Sequence, residues 1–179
     1  VMQAKDNIDD DDLVLVINGD QPLISSKTIK SMISFCEQGN YGGVVLSGIV
    51  DHPGSLGRVI RDGKGNLNRI VERKDCNEDE ERVKEVNIGV YCFNGKLLKE
   101  SFSKLDDNNA QNEYYITDIP VHIKNAGYNF GVCTIADMSE FQGINSREEL
   151  SLATCTLLNK TRKLHMSNGV TLIDPSSTY

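Results

Sequence analysis

Residues 13–17 read Leu-Val-Leu-Val-Ile, an apolar run with no polar interruption. A strand covered on both faces has this pattern. In residues 25–40, Ile29, Met32, Ile33 and Cys36 fall at i, i+3, i+4 and i+7, one face of a helix. Ser25 or Ser26 can cap its start and Gly39 can end it. Residues 43–50 (GVVLSGIV) predict the next strand. Residues 57–75 predict two short strands around Gly63-Lys64-Gly65-Asn66, a hairpin signal. Residues 77–85 (NEDEERVKE) read as a charged loop or short helix, residues 86–93 (VNIGVYCF) as a strand, and residues 95–105 as a helix. In residues 112–127, Tyr115, Ile119, His122 and Ile123 share a helical face, and Pro120 predicts a kink or a late start. Residues 130–136 (FGVCTIA) read as a strand. Residues 145–164 read as a long helix with Leu150, Ala153, Leu157 and Leu164 inward, and residues 170–175 (VTLIDP) as a closing strand.

This alternation predicts an α/β sandwich with a mostly parallel sheet. Ligands in such sheets sit beyond the carboxyl ends of strands, and Asp20 lies at such an end. The 179 residues favour one domain. A net charge of -7 argues against a nucleic-acid partner, which needs clustered Lys and Arg. No run approaches the roughly 20 apolar residues of a membrane span. The first twelve residues end in Asp9-Asp10-Asp11-Asp12, which excludes a signal-peptide pattern and reads as a solvated loop. Five scattered cysteines form no C-x-x-C pair and predict reduced thiols in a cytoplasm. Three distant histidines suggest no zinc set. A start at Val1 rather than Met, almost directly into a strand, predicts a piece of something longer.

The runs GDQPLI, LGRVIRD, IVERKD, VNIGVY, NNAQNEYYITDI and GINSREEL occur in this order. Together they resemble the uridylyltransferase half of the bifunctional GlmU family, over about Val1 to Tyr179. NNAQNEYYITD is the most specific of them. The resemblance implies a Rossmann-like three-layer sandwich of the nucleotide-diphospho-sugar transferase type. It also implies a partial uridylyltransferase domain over 1–179. The family's first strand and its Gly-rich nucleotide-binding loop with a following Lys are not in the sequence. Nor are the hexapeptide repeats of the C-terminal acetyltransferase domain, through which the parent is expected to form a homotrimer. Two local departures stand out: Ser55-Leu56 replaces an aromatic before Gly-Arg, and Asn112 replaces a Gly.

The implied reaction joins UTP and N-acetylglucosamine 1-phosphate into UDP-N-acetylglucosamine and pyrophosphate, a cytoplasmic step toward cell-wall peptidoglycan. The sugar phosphate attacks the α-phosphorus, so the protein's work is positioning and charge neutralisation. Converging negative charge calls for Mg²⁺, which takes one or two protein oxygens and otherwise phosphate and water. By resemblance Asp20 and Asn145 are its ligands. From spacing alone Asp20 reads as a turn residue capping the next segment. Asn145 or Ser146, with Glu148 or Glu149, can likewise form a capping box. The resemblance places Asn18, Gly19, Asp20, Gly57, Glu72, Asn87, Thr117 and Asn145 at the substrate. Glu72 accepts from sugar hydroxyls, unless it is a surface Glu paired with Arg73 or Lys74. Asn87 contacts sugar or phosphate; in an apolar strand it needs a partner either way. Gly57 lets backbone approach the sugar, Gly19 clears space beside Asp20, and Thr117 adds a hydroxyl. No residue is assigned a covalent role. The 179 residues alone are expected to be inactive. The alternatives are a glucose-1-phosphate uridylyl- or thymidylyltransferase and a non-catalytic sugar-nucleotide-binding fragment.

Overall fold

The structure is a computed structural model that describes residues 1–135 and 137–178. Its chain divides into two compact units, Val1–Asn18 with Ser26–Ala136, and Gly19–Ser25 with Asp137–Tyr179.

The first unit is built on a six-stranded sheet. Its strands are β1 (Leu13–Val16), β2 (Gly43–Ile49), β3 (Arg58–Arg61), β4 (Leu67–Val71), β5 (Glu85–Asn94) and β6 (Phe130–Thr134). The order is β4-β3-β5-β2-β6, with β1 also on β5. β2 follows β5 along one edge from Glu85 to Phe93. β1 therefore shares the other edge with β3, pairing at Tyr91–Asn94 while β3 pairs at Val86.

The α/β class holds, but the sheet is mixed rather than mostly parallel. Among the described residues only β2 and β6 pair in parallel; β5 runs antiparallel to β1, β2 and β3. The hairpin between β3 and β4 turns the chain round, with Asp62 accepting from the backbone of Lys64 and Asn66 at 2.9 Å each. The return then delivers β5 into the sheet centre in the β4 direction. The side-chain pattern of a strand carries no mark of its direction in the sheet.

Side chains alternate across the strands. Val45, Tyr91, Phe93 and Phe130 join one core with Leu97, Leu98 and Phe102 of α3 (Gly95–Phe102) and Ile119 and Ile123 of α4 (Ile119–Asn125). Val44, Leu46 and Cys92 are also buried, one residue out of phase, together with Met32 and Cys36 of α1 (Ser26–Gln38). The Cys36 and Cys92 thiols lie beside each other on that second face, and the Cys36 thiol donates to the Tyr41 carbonyl at 3.8 Å. Helices thus cover both faces of the sheet. All five cysteines are free thiols.

Several local choices that the sequence left open are resolved. Residues 77–85 contain a short helix, α2 (Glu78–Glu81), closed by a capping box. Asn77 Oδ1 accepts from Asp79 and Glu80 N–H, and Glu80 Oε2 accepts from Asn77 N–H at 3.0 Å. α4 starts late, at Ile119, which puts Pro120 in the first turn where its missing N–H costs nothing. Tyr115 therefore precedes the helix. Asp9–Asp12 form an exposed turn, and Asp10 pairs with Lys99, whose ammonium holds that carboxyl below its ordinary range.

In the second unit, α5 spans Arg147–Ser167. Ala153 is buried there, but Leu150, Leu157 and Leu164 are 52%, 56% and 60% exposed, against the expected inward stripe. A helix of 21 residues is about 31 Å long. Among the described residues no closing strand forms. Residues 170–174 have no strand partner, Ile173 is 99% exposed, and Asp174 instead caps a turn at Pro175–Ser177. The strand expected over residues 130–136 ends at Thr134; residue 136 lies outside the described residues.

Candidate functional site

Four of the residues singled out in the sequence come together in the first unit. Gly57 directly precedes β3, and its carbonyl accepts from the backbone N–H of Asn87 at 2.8 Å. A Cβ placed on Gly57 would lie 3.5 Å from both carboxylate oxygens of Glu72. The missing side chain thus leaves the space in front of that carboxylate open. Thr117, itself buried, lies beside the Glu72 carboxyl. The half-buried Glu72 has its carboxyl raised above the ordinary range, first by burial and then by the nearby Asp75 and Asp118 charges, with Thr117 opposing. Glu72 and Thr117 open onto a cavity of about 450 Å³, also lined by Asp75, Asn109, Tyr115 and Asp118. This size is in the range of small-molecule pockets.

Asn18 lies at the end of the same arrangement. Gly89 of β5 has φ +82, and a Cβ there would meet Asn18 Nδ2 at 2.4 Å. Gly89 is therefore required twice over, by its backbone conformation and by the side chain lying against it. The loop before Gly57 is held by Arg58, which is buried and donates to the carbonyls of Leu56 and, at 3.2 Å, of Gly54. That anchor stands in the segment where Ser55-Leu56 departs from the GlmU pattern. At the other departure, Asn112 has φ +53. Glycine takes this conformation freely, and asparagine is one of the few other residues that tolerate it.

The second unit brings Gly19, Asp20 and Asn145 into one segment pair. Ile144 N–H donates to the Asp20 carbonyl at 2.9 Å. A Cβ on Gly143 would lie 3.7 Å from Asp20 Oδ2 and 3.7 Å from Asn145 Nδ2, so both side chains face one glycine-lined space. A Cβ on Gly19 would have nothing within 4 Å. The capping question is settled in favour of Ser146: its hydroxyl accepts from Glu149 N–H at 3.1 Å. The Glu149 carboxylate reaches back to Asn145 N–H at 2.6 Å. The Asn145 side chain is thereby spared the capping role. One carboxylate and one amide oxygen are hard donors, few in number, and suit Mg²⁺ better than a soft or tightly caged ion. Among the described residues no group of three or more His, Cys, Asp or Glu gathers as a metal cluster; an ion completed by phosphate and water does not require one.

Residues 1–138 match the family model described as Nucleotidyl transferase. The chain belongs to this nucleotidyl transferase family. The nucleotidyl transferase chain is 42% identical over 179 residues to the Bifunctional protein GlmU of Clostridioides difficile, covering 100% of this chain and 39% of that protein. It is 46% identical over 167 residues to the Bifunctional protein GlmU of Clostridium kluyveri, covering 93% and 36%. The chain thus spans well under half the length of these relatives. A crystal structure of apo-UDP-glucose pyrophosphorylase superimposes with a TM-score of 0.67 at 18% identity, over 89% of this chain and 59% of that one. A CMP:2-keto-3-deoxy-manno-octonic acid synthetase complexed with CTP gives 0.62 at 11% identity, over 89% and 66%. At these identities the two structures support the nucleotidyl transferase fold alone. Among the described residues no helix is long and apolar enough to cross a membrane.

Sequence reasoning missed several cavity residues of this nucleotidyl transferase: Asp75, Asn109, Tyr115 and Asp118. They lie inside the quoted IVERKD and NNAQNEYYITD runs, so the signal was present. The structure adds how they are tied. Asp75 Oδ1 accepts from Ala110 N–H at 3.1 Å, Lys74 Nζ donates to Gln111 Oε1 at 3.0 Å, and Gln111 Nε2 donates to the Tyr115 hydroxyl at 2.8 Å. Lys74 is thus engaged with Gln111 rather than with Glu72.

Glu72 makes a pH prediction. Its raised carboxyl means the folded chain holds that proton more tightly than the unfolded chain does. Fold stability is therefore lost as pH rises from the ordinary glutamate range through the raised value. Glu72→Gln is expected to melt above the wild type at about pH 7, with the difference shrinking toward about pH 4. The same variant should bind a sugar phosphate at least about tenfold more weakly. Calorimetric melting across pH, with titration of ligand, checks both; a variant melting below wild type at neutral pH contradicts the assignment.

Proposed function

We propose that this chain supplies the sugar-phosphate and metal-ion sites of a sugar-1-phosphate uridylyltransferase. The reaction is UTP plus N-acetylglucosamine 1-phosphate to UDP-N-acetylglucosamine and pyrophosphate, a cytoplasmic step toward cell-wall precursors. The observation that carries the reading is that Gly57, Glu72, Asn87 and Thr117, from four separate stretches of sequence, are neighbours, beside a cavity that Glu72 and Thr117 line. The relatives named Bifunctional protein GlmU support the choice of sugar. Assembly as a trimer through hexapeptide repeats belongs to the proposal only for a polypeptide that carries them.

Each residue does work that needs no covalent chemistry. The Glu72 carboxylate accepts from two sugar hydroxyls, bonds strengthened by its charge. Thr117 lies buried beside that carboxylate. Gly57 keeps the approach to it free of a side chain. Asn87 offers an amide N–H and a carbonyl lone pair, and Asn18 lies against the backbone just beyond it. Asp20 and Asn145 would hold Mg²⁺, which when bound neutralises charge on phosphate oxygens. Fixing the attacking oxygen relative to the α-phosphorus is where most of the rate gain from positioning arises.

The test is a ligand panel. Isothermal titration of the chain with N-acetylglucosamine 1-phosphate, glucose 1-phosphate, UDP-N-acetylglucosamine and UDP-glucose is expected to favour the N-acetyl compounds by about tenfold or more. Preference for the glucose compounds would move the assignment to a glucose-1-phosphate uridylyl- or thymidylyltransferase. Binding of none of the four would remove the proposed function.

A further inference from the structure

We propose that Tyr91 is a positioning residue whose buried hydroxyl, bonded to the Asn87 amide across the bulge of β5, sets the orientation in which Asn87 meets the sugar phosphate. The inference rests on the proposed function, in which Asn87 touches that ligand, and extends it to a residue that touches no ligand itself.

The geometry begins with the bulge. β2 and β5 keep regular register from Gly43 to Val45, opposite Phe93 to Tyr91, and resume it at Ser47 opposite Asn87. Two residues of β2 are thus matched by four of β5, and Gly89 at φ +82 absorbs the excess. In a regular strand the Cα atoms of residues four apart are about 13 Å distant. The bulge shortens that span, and Asn87 Nδ2 donates to the Tyr91 hydroxyl at 2.8 Å. The other end of the same amide is also held: Gly89 N–H donates to Asn87 Oδ1 at 2.9 Å. A flipped amide would point its NH₂ at the Gly89 N–H, donor against donor, so only one orientation satisfies both partners. One N–H and one oxygen lone pair of Asn87 remain for a ligand.

Tyr91 is suited to this task and not to ligand contact. It is 0% exposed, and its ring stacks on Phe93 at a centroid distance of 5.3 Å. Burial pushes its phenol far above the ordinary range, so the hydroxyl keeps its proton, and the Glu72 charge acts on it as well. Accepting from Asn87 uses an oxygen lone pair and leaves the O–H free to donate. A core residue is thereby tied to the proposed sugar-binding Asn87. The bland alternative is a core ring whose hydroxyl merely finds a partner.

Tyr91→Phe separates the two, because it keeps the ring and removes only the hydroxyl. Titration of the chain with N-acetylglucosamine 1-phosphate is expected to show about a five- to tenfold loss of affinity in Tyr91→Phe. In an Asn87→Ala background the same substitution should cost less than about twofold, because the group it positions is gone. An independent readout is the Asn87 side-chain amide in ¹⁵N-resolved NMR without ligand. Its resonances should shift, and its protons exchange faster, in Tyr91→Phe, while the dispersed backbone spectrum stays that of the wild type. Unchanged affinity in Tyr91→Phe, or an equal loss in both backgrounds, overturns the inference. So does an unmoved Asn87 amide. A wild-type chain that fails to bind the sugar phosphate at all overturns the proposed function, and this inference with it.

Discussion

Asp20→Asn is expected to weaken the Mg²⁺-dependent binding of UDP-N-acetylglucosamine by about a hundredfold. The two proposed ligands are unequal. Asn145 brings a neutral amide oxygen, so the Asp20 carboxylate is the only formal charge of the pair. A unit charge near a divalent ion at the protein surface is worth several kcal/mol, about 4 kcal/mol for two unit charges 4 Å apart at an effective dielectric of 20. The asparagine is nearly isosteric and keeps an oxygen in place, so the loss isolates charge from shape. Asn145→Ala should cost less, about tenfold, by analogy with the loss of one neutral supporting group. It should leave α5 intact, since the cap belongs to Ser146. Ser146→Ala supplies the control, with about 1 kcal/mol lost from stability and little from binding. Titration calorimetry with and without Mg²⁺ measures all three. Equal Mg²⁺ dependence in wild type and Asp20→Asn would remove Asp20 from the metal site.

Phe93→Ala is expected to destabilise the fold by about 3–5 kcal/mol, against a typical total of about 5–15 kcal/mol. Phe93 is 0% exposed near the end of β5, where it pairs with Val14 of β1 on one side and Gly43 of β2 on the other. Its ring lies 5.3 Å from that of Tyr91 and 5.8 Å from that of Phe130. Truncation removes both contacts and leaves a cavity that close-packed neighbours can only partly fill. Urea denaturation should show a lower midpoint with an unchanged slope. The same cavity frees the Tyr91 ring, so whatever native chain remains should bind the sugar phosphate less well. A loss under about 1 kcal/mol would mean the ring is not part of the core.

Much of the molecule was decided by its sequence. The apolar run at Leu13–Ile17 becomes β1 over Leu13–Val16, though not the strand covered on both faces that its pattern predicts, since Leu13 and Ile17 are exposed; the spacing of Ile29, Met32, Ile33 and Cys36 becomes α1. The Gly63–Asn66 signal becomes the β3–β4 turn. These follow from local rules: side-chain period, turn chemistry and the cost of an unsatisfied backbone. The short runs containing Gly57, Glu72, Asn87 and Thr117 were legible as motifs, and the fold makes those four residues neighbours; their part in binding belongs to the proposal.

What tertiary structure alone decided is long-range. β5 enters the sheet antiparallel because of where the hairpin leaves the chain, and the side-chain pattern of a strand has no direction to read. Leu150, Leu157 and Leu164 sit at helical spacing, yet spacing says only that they share a face, not that anything covers it. Ser146 rather than Asn145 caps α5 because of backbone geometry that both residue types would accept. Tyr91 and Asn87 meet only because a bulge shortens the strand between them. Periodicity along a chain records what each residue prefers locally; which partners it finds is set by how distant segments close on one another.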